Sequence, residues 1–185
     1  ETAPRTLVQK IWDAHRILSR DGSDLLFIDR HFLHEGSHHA FDRIAAAGRP
    51  VRRPDLTFGV ADHYAPSSPA RATETTATMI DRLKRNTGRH RIDSFGIGDP
   101  RRGIVHVTMP EQGLTLPGTI IVCGDSHAAT HGAFGAFAFG IGASEVAHVL
   151  ANHSKERVST HYTTQTGARQ MAKIFSGASA AIQER

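Results

Sequence analysis

The feature that most constrains this chain is an apolar run that ends abruptly in polar residues. Residues 119–122 (TIIV) have the composition of a buried strand, and the next five residues are Cys-Gly-Asp-Ser-His. Small residues and glycines then continue through 130–151 in a pattern compatible with a helix packed closely on a sheet. A buried strand followed by a polar turn and a helix is the unit from which parallel α/β sheets are built.

The rest of the chain repeats this alternation. Apolar spacing predicts helices over 5–19, 38–47, 73–86 and 130–151. Short apolar or extended segments predict strands over 25–29, 56–63, 91–100, 103–110 and 118–127. We therefore predict a layered α/β/α domain with a largely parallel sheet, in which ligands gather at the carboxyl ends of the strands.

The domain is predicted to extend over residues 1–151. Residues 152–185 form a divergent tail that is polar and β-branched at first, and residues 170–185 have the spacing of a weak amphipathic helix. No internal repeat or low-complexity segment interrupts either part. The tail therefore adds no second domain of recognisable class to the prediction.

Composition narrows the classes of function. The formal net charge is +4, but the basic clusters are short and mixed with acids, and only 6% of residues are aromatic, so nucleic-acid binding is disfavoured. The positive charge fits either attraction of small anionic substrates or a solvated surface without a role. No apolar run reaches the length of a membrane span, and the N-terminal residues lack an apolar leader segment. The single cysteine excludes an internal disulfide and agrees with a reducing, cytoplasmic location.

Acids and histidines stand together where predicted strands end. Asp62 and His63 end one segment, His106 ends another, and Asp125 with His127 follows the run at 119–122. A carboxylate beside a histidine fixes its tautomer and favours its protonated form, so such pairs suit general acid catalysis. A fourth group with the same residue types follows the first predicted strand: Asp29, His31, His34 and Glu35.

Other interpretations of the GDSH stretch agree less well with the sequence. A serine-hydrolase elbow needs Gly-x-Ser-x-Gly, and the second glycine is missing here. A nucleophilic Cys123 requires an accessible strand–helix junction, which nothing in the sequence supports. The glycines after residue 131 lack the dinucleotide-binding order. His127 and His131 have a spacing that can bind zinc on a helix, but no H-E-x-x-H pattern surrounds them. The pair at 38–39 is interpreted as solvated.

The segments IDRHFLHE, RPDLTFGVADH and GIVHVTMPEQGLTLPGTIIVCGDSHAATHGAFGA carry a resemblance to a known family. From about residue 5 to residue 151 the chain resembles the aconitase superfamily, and most closely the large subunit of 3-isopropylmalate dehydratase. The resemblance covers only the first α/β domain of that family. It implies a hydro-lyase or isomerase of leucine biosynthesis, which removes water from a small 2-hydroxy diacid and adds it back at the neighbouring carbon.

The resemblance also implies roles for individual residues. Asp62 and His63 match the pair that protonates the departing hydroxyl, and His106 with Asp125 matches a second histidine–acid pair. Ser126 and His127 match a loop that faces the family's iron–sulfur cluster. His34 matches a position that contacts substrate, where glutamine also occurs in relatives. In the family, a serine from a swivelling domain or a small subunit takes the carbon-bound proton.

The cofactor expectation departs from the family. A [4Fe-4S] cluster with one open iron is held there by three cysteines, whereas this chain has only Cys123, at a position that is not a ligand position in the family. The remaining alternatives are no cofactor or a divalent metal on a mixed nitrogen and oxygen site. The residues for such a site are His63, His106, His127 and Asp125.

Three hypotheses about function follow. The chain is a stand-alone or split hydro-lyase acting on a small diacid, or a truncated or degenerate paralogue that binds a diacid without turnover, or a scaffold for a fuller enzyme. The expected partners are the diacid and a small-subunit-like protein or a second copy of the chain. The retained acid and histidine set favours catalysis or binding over a scaffold role.

Overall fold

The computed structural model describes residues 4–68 and 72–159, with only the backbone for 156–159. The helices in these residues are α1 (Leu7–His15), α2 (His38–Ala46), α3 (Glu74–His90), α4 (Val105–Glu111) and α5 (Ala143–Asn152). The strands are β1 (Arg16–Arg20), β2 (Ser23–Phe27), β3 (Arg30–Leu33), β4 (Thr57–Val60), β5 (Asp93–Phe95), β6 (Ile120–Cys123), β7 (Phe137–Gly140) and β8 (Ser154–Ser159). Short 3-10 segments at Glu35–Ser37, Pro54–Leu56 and Ala128–Phe134 connect them.

The central sheet is parallel throughout. Its strand order is β5-β4-β3-β6-β7, so the chain winds outward from β3 through β4 to β5 and then returns to place β6 beside β3. The direction of winding reverses between β3 and β6. A reversal of this kind opens a crevice at the carboxyl ends of the two strands, where ligands bind in open α/β sheets.

Both faces of this sheet are covered. On β6, Ile120 and Val122 pack into one apolar cluster with residues of α2 and α5, whereas Ile121 and Cys123 pack into another with residues of α4. Side chains alternate between the faces of a strand, so a strand that is buried on both faces is apolar along its whole length. This arrangement confirms the layered α/β/α fold and explains the uninterrupted apolar run.

A smaller antiparallel sheet of β1, β2 and β8 lies beside the parallel one. The predicted strand at 25–29 is in fact divided, because β2 belongs to the small sheet and β3 to the large one. Asp29 marks the division: its carboxylate accepts the backbone N–H of Ile120 at 2.7 Å and lies 2.6 Å from His15 Nε2. These contacts attach the connection between the sheets to β6.

Three other expectations were wrong. The helix predicted over 5–19 ends at His15, and Arg16–Arg20 forms β1 instead. The extended segment predicted at 103–110 is helix α4, which the carboxylate of Asp62 stabilises by accepting the N–H of Val105 in the first turn. The continuous helix predicted at 130–151 contains β7, which begins two residues after Gly135 takes a left-handed conformation with φ of 80°. Tertiary contacts override the local preference in the last two segments, an extended one at 103–110 and a helical one at 130–151.

The tail begins inside the described residues. Ser154–Ser159 forms β8, which pairs antiparallel with β2. The amphipathic helix predicted at 170–185 lies outside the described residues, and the division of the chain at residue 151 stays a prediction.

Candidate active site

Four chain segments meet at the carboxyl edge of the parallel sheet. His34 follows β3, Asp62 and His63 follow β4, Asp125 follows β6, and His106 enters from the first turn of α4. The Nε2 of His34 lies 3.2 Å from the carbonyl oxygen of Gly124, so this contact crosses the crevice between β3 and β6. The acid and histidine groups therefore gather where the direction of winding reverses.

Asp125 is the centre of the cluster. Its Oδ1 lies 2.6 Å from His106 Nε2 and accepts the backbone N–H of His127 at 2.8 Å, while its Oδ2 lies 3.1 Å from His63 Nε2. Burial alone would raise the pKa of this carboxyl, but the bonds from His106, from the His127 N–H and from His63 hold the pKa well below its usual range. Asp125 is therefore an anion that binds two imidazole rings at once.

His63 lies between two carboxylates. Its Nδ1 is 3.0 Å from Asp62 Oδ1, and its Nε2 is 3.1 Å from Asp125 Oδ2. A carboxylate only accepts hydrogen bonds, and only the contact with Asp125 has hydrogen-bond geometry, so Nε2 of His63 carries a hydrogen. The Asp125 contact therefore orients the His63 ring and leaves its Nδ1 beside the Asp62 carboxylate, and the side chain is 34% exposed and open to a ligand.

Glu35 is a site residue that lies in the fourth acid and histidine group of the sequence, without a predicted role. Its buried carboxylate accepts the backbone N–H groups of His63 at 3.1 Å and Tyr64 at 3.2 Å, which fixes the loop after β4. The position of this acid directly after a strand, in the DRHFLHE group, was the available signal. Glu35 orients His63 through the main chain and leaves the imidazole ring free.

His34 is buried and has a defined tautomer. Its Nδ1 accepts the N–H of Gly36 at 3.1 Å, so the hydrogen is on Nε2, which donates to the carbonyl of Gly124. The pKa of His34 is lowered, first by burial and then by the neighbouring His63. The His34 ring stacks on the His63 ring with centroids 3.9 Å apart, so His34 forms the neutral wall of the site.

Ser126 and His127 form the open rim. The His127 side chain is 79% exposed, and its Nδ1 lies 3.4 Å from both Ser126 Oγ and Asp125 Oδ1. By contrast, His131 is fully buried and contacts His106 and Thr115. The structure therefore separates His127 from His131, and the two do not form a zinc-binding pair.

The residues of this chain do not fit a [4Fe-4S] cluster. Cys123 is the only cysteine in the sequence, and its side chain is buried in the apolar cluster on the α4 face of the sheet. Burial, and then the nearby Asp125 charge, raise the pKa of the Cys123 thiol far above its ordinary value. Cluster ligation needs several thiolates, and this chain supplies one buried thiol.

Among the described residues, one group of three has the geometry to hold a divalent metal. His34, Glu35 and His63 place possible ligand atoms within 4.8 Å of one another, but the nitrogens and carboxylate oxygens of all three already make the contacts given above. Of the four residues that the sequence predicts for a metal site, Asp125 bonds directly to His63 and His106, so these donor atoms contact one another. The cluster is arranged for holding protons.

A comparison with protein families agrees with this arrangement. The model of the aconitase family (aconitate hydratase) matches residues 9–165, which is most of the chain. The chain belongs to the aconitase family, and this membership supports hydro-lyase or isomerase chemistry in general terms. Among the residues that the structure describes, no helix is both long and apolar enough to cross a membrane.

Proposed function

We propose that this chain takes part in the dehydration and hydration of a small 2-hydroxy diacid, with 2-isopropylmalate of leucine biosynthesis as the first candidate. The observation that carries the proposal is the position of His63 between the carboxylates of Asp62 and Asp125, at the open edge of the sheet. An imidazolium held in this way suits the protonation of a departing hydroxyl group.

The proposed reaction has a defined proton balance. His63 gives a proton to the hydroxyl oxygen of the diacid, the carbon–oxygen bond breaks, and water leaves. The proton on the neighbouring carbon passes to a base, and the double bond forms from the electron pair of that carbon–hydrogen bond. We assign this base to a serine of a small-subunit-like partner, as the resemblance implies. Asp125 stabilises the imidazolium before the transfer and orients His106 beside it.

Binding of the diacid is assigned to the rim. Ser126 and His127 are exposed, and their hydroxyl and imidazole groups can donate to a carboxylate of the ligand. The formal net charge of +4 favours the approach of a dianion. His34 contributes a flat neutral surface beside His63, against which the apolar part of the ligand packs.

A second candidate function is diacid binding without turnover. The specific observation in its favour is the single buried cysteine, because no cluster can form from this chain alone to act as a Lewis acid on the hydroxyl. In this alternative the retained acids and histidines serve recognition of a ligand or of a partner subunit.

Two measurements on the purified chain decide between these functions. Incubation with 2-isopropylmalate, with and without iron and sulfide in the absence of oxygen, and with and without a small-subunit-like partner, should give the ultraviolet absorbance of an alkene. Millimolar diacid should also raise the melting temperature, because a ligand that binds only the folded state stabilises it. The matched variants are His63→Gln in the site and His39→Gln on an exposed turn of α2.

The outcomes are distinct. Product formation that is lost in His63→Gln, thermal stabilisation that is lost in the rim variant His127→Ala, and retention of both in His39→Gln support the hydro-lyase function. Stabilisation without product under any condition supports the binding function. If neither product formation nor thermal stabilisation is observed, a diacid ligand is rejected and the scaffold hypothesis remains.

A further inference from the structure

His131 lies behind the site and is fully buried in the 3-10 segment Ala128–Phe134. Its Nε2 is 3.1 Å from His106 Nδ1, and its Nδ1 is 2.8 Å from Thr115 Oγ1. The ring of Phe32 packs edge-on against it with centroids 5.1 Å apart, which restricts its rotation. A continuous row of hydrogen bonds therefore leads from Thr115 through both histidines to Asp125.

The hydrogen positions along this row follow from its end at Asp125. The carboxylate only accepts, so His106 carries a hydrogen on Nε2, and in the neutral ring its Nδ1 is an acceptor. The His131 Nε2 must then donate to His106, which leaves its Nδ1 to accept the hydroxyl hydrogen of Thr115. In this arrangement the Thr115 O–H, the His131 Nε2–H and the His106 Nε2–H all donate in the direction of Asp125.

Protonation of His106 reverses part of the row. The Nδ1 of His106 then carries a hydrogen and donates, so Nε2 of His131 must accept, and Nδ1 of His131 donates to the Thr115 oxygen. The proton that His106 gains is the one His131 held on Nε2. His131 takes the hydroxyl proton of Thr115 on Nδ1, and that hydroxyl recovers a proton from water, so the row gains one proton in total.

We propose that His131, with Thr115, is a positioning residue that changes tautomer whenever His106 gains or loses a proton and so returns protons to the site from behind. This role rests on the proposed acid–base function. In both protonation states of His106 every ring nitrogen of His106 and His131 has a hydrogen-bond partner, and His131 itself stays neutral. Burial, and then the charge of His106, lower the pKa of His131 to about 4, which agrees with a relay that never holds a second buried charge.

Few other charged groups face His106. Asp125 faces its Nε2 from the loop after β6, and the ring of His127 lies with its centroid 6.5 Å away. Asp62 bonds to the backbone of Val105 in the same helix turn and does not contact the His106 ring by hydrogen bonding. Asp125 and His131 are therefore the groups that bond to the two ring nitrogens of His106.

The test is the tautomer of His131, read from the nitrogen chemical shifts of the ¹⁵N-labelled full chain without any substrate. We expect hydrogen on Nε2 of His131 above the titration midpoint of His106 and on Nδ1 below it. A His131 ring that keeps one tautomer through the titration of His106 would overturn the proposal. Because no diacid is present, this result is independent of whether the proposed function holds.

Variants give a second test. In His131→Leu, the Nδ1–H of protonated His106 has no acceptor, so its titration midpoint should fall by about one pH unit, since bonds to charged donors are stronger than neutral ones. His131→Gln, whose amide can donate or accept, should restore the midpoint. Thr115→Val should shift it less in the same direction, and Thr115→Ser should leave it unchanged. Equal midpoints in the Leu and Gln variants would contradict a relay role, and the tautomer measurement decides alone if His131→Leu does not fold.

Discussion

His31 and His34 lie three residues apart along β3 and its exit, and their surroundings are opposite. His34 has a partner for each ring nitrogen, whereas neither nitrogen of His31 has a hydrogen-bond partner among the described residues. Burial, and then the neighbouring His153, lower the pKa of His31 to about 3. Both ring nitrogens of His153 likewise lack a partner in the part of the chain that the structure describes, and the pKa of His153 is lowered to about 4, mainly by burial.

The difference comes from the fold. Inside β3 the backbone groups bond to β4 and β6 and both faces are covered, so the His31 ring has no hydrogen-bond partner among the described residues even though His153 is near it. Just beyond the strand, loops expose carbonyl and amide groups that can bind an imidazole. The same residue type is therefore an inert neutral group within the strand and a part of the proton network at its carboxyl end. The predictions below test this contrast, beginning with the largest expected effect.

The largest effect is expected at Asp125, the anion that joins His63 and His106. Asp125→Asn keeps the shape of the side chain but removes the charge that stabilises the imidazolium. Turnover of 2-isopropylmalate should fall by about 10²–10⁴-fold, the usual contribution of acid–base catalysis, under the condition that supports turnover by the unaltered chain. Asp81→Asn, which removes an exposed partner of Arg85 on α3, is the matched control and should keep full activity. A loss of less than threefold in Asp125→Asn would show that the network is not catalytic.

The second effect concerns stability in acid. The pKa of His31 is about 3 in the folded chain and about 6.5 when unfolded, so the unfolded state binds a proton first. Stability is therefore lost as the pH falls from about 6.5 toward 3, and His31 alone should account for about 3 kcal/mol between pH 7 and pH 4. His31→Leu should remove this part of the pH dependence in urea unfolding experiments at both pH values.

The part of the pH dependence of stability that comes from His153 should remain in His31→Leu, because the lowered pKa of His153 acts over the same pH range. Arg30, Arg53, Asp29 and Asp55 also influence His153 and are retained in this variant. His39→Leu, at an exposed position, is the control and should leave the pH dependence unchanged. If the free energy of unfolding of His31→Leu differs between pH 7 and pH 4 as much as that of the unaltered chain, then His31 has a hydrogen-bond partner in solution.

The sequence predicts much of this contrast but not all of it. The fold class follows from the alternation of apolar runs and helical segments, and the acids and histidines at the exits of β4 and β6 predict the position of the site. His106 was expected at the end of a strand. It reaches the site from a helix instead, because Asp62 binds the first turn of α4, a contact between distant segments that no local pattern contains.

Residues that act through burial were harder to predict. No local sequence pattern shows whether the side chains of His31, Glu35 and His131 are buried or solvated. Their surroundings arise only when β3, β4 and the 3-10 segment Ala128–Phe134 pack together. The same limit explains β7, whose Phe137 and Phe139 contribute to the apolar cluster on the α5 side only after the strand pairs with β6.

A smaller effect than that of the His31 substitution is expected at Glu35, which bonds to the backbone of the loop after β4. Glu35→Gln replaces one of two accepting oxygens by an amide nitrogen, which then faces a backbone N–H of His63 or Tyr64. The free energy of unfolding at pH 7 should fall by about 2 kcal/mol, the usual cost of leaving a buried donor unpaired. Glu111→Gln, at the exposed end of α4, should change it by less than about 0.5 kcal/mol. Equal stability of the two variants would mean that water replaces the carboxylate.

The smallest effect is expected at His34 itself, and it sharpens the contrast with His31. Glutamine can accept the Gly36 N–H through its oxygen and donate to the Gly124 carbonyl through its nitrogen, as the imidazole does. His34→Gln should therefore change the free energy of unfolding by less than about 1 kcal/mol, whereas His34→Leu, which leaves both backbone groups unpaired, should cost about 2 kcal/mol. At His31 the order should be reversed, with leucine tolerated better than glutamine, because there the protein offers no partner to an amide. Urea unfolding of the four variants at pH 7 measures this order, and the same ranking at both positions would refute the distinction between the interior of β3 and its carboxyl end.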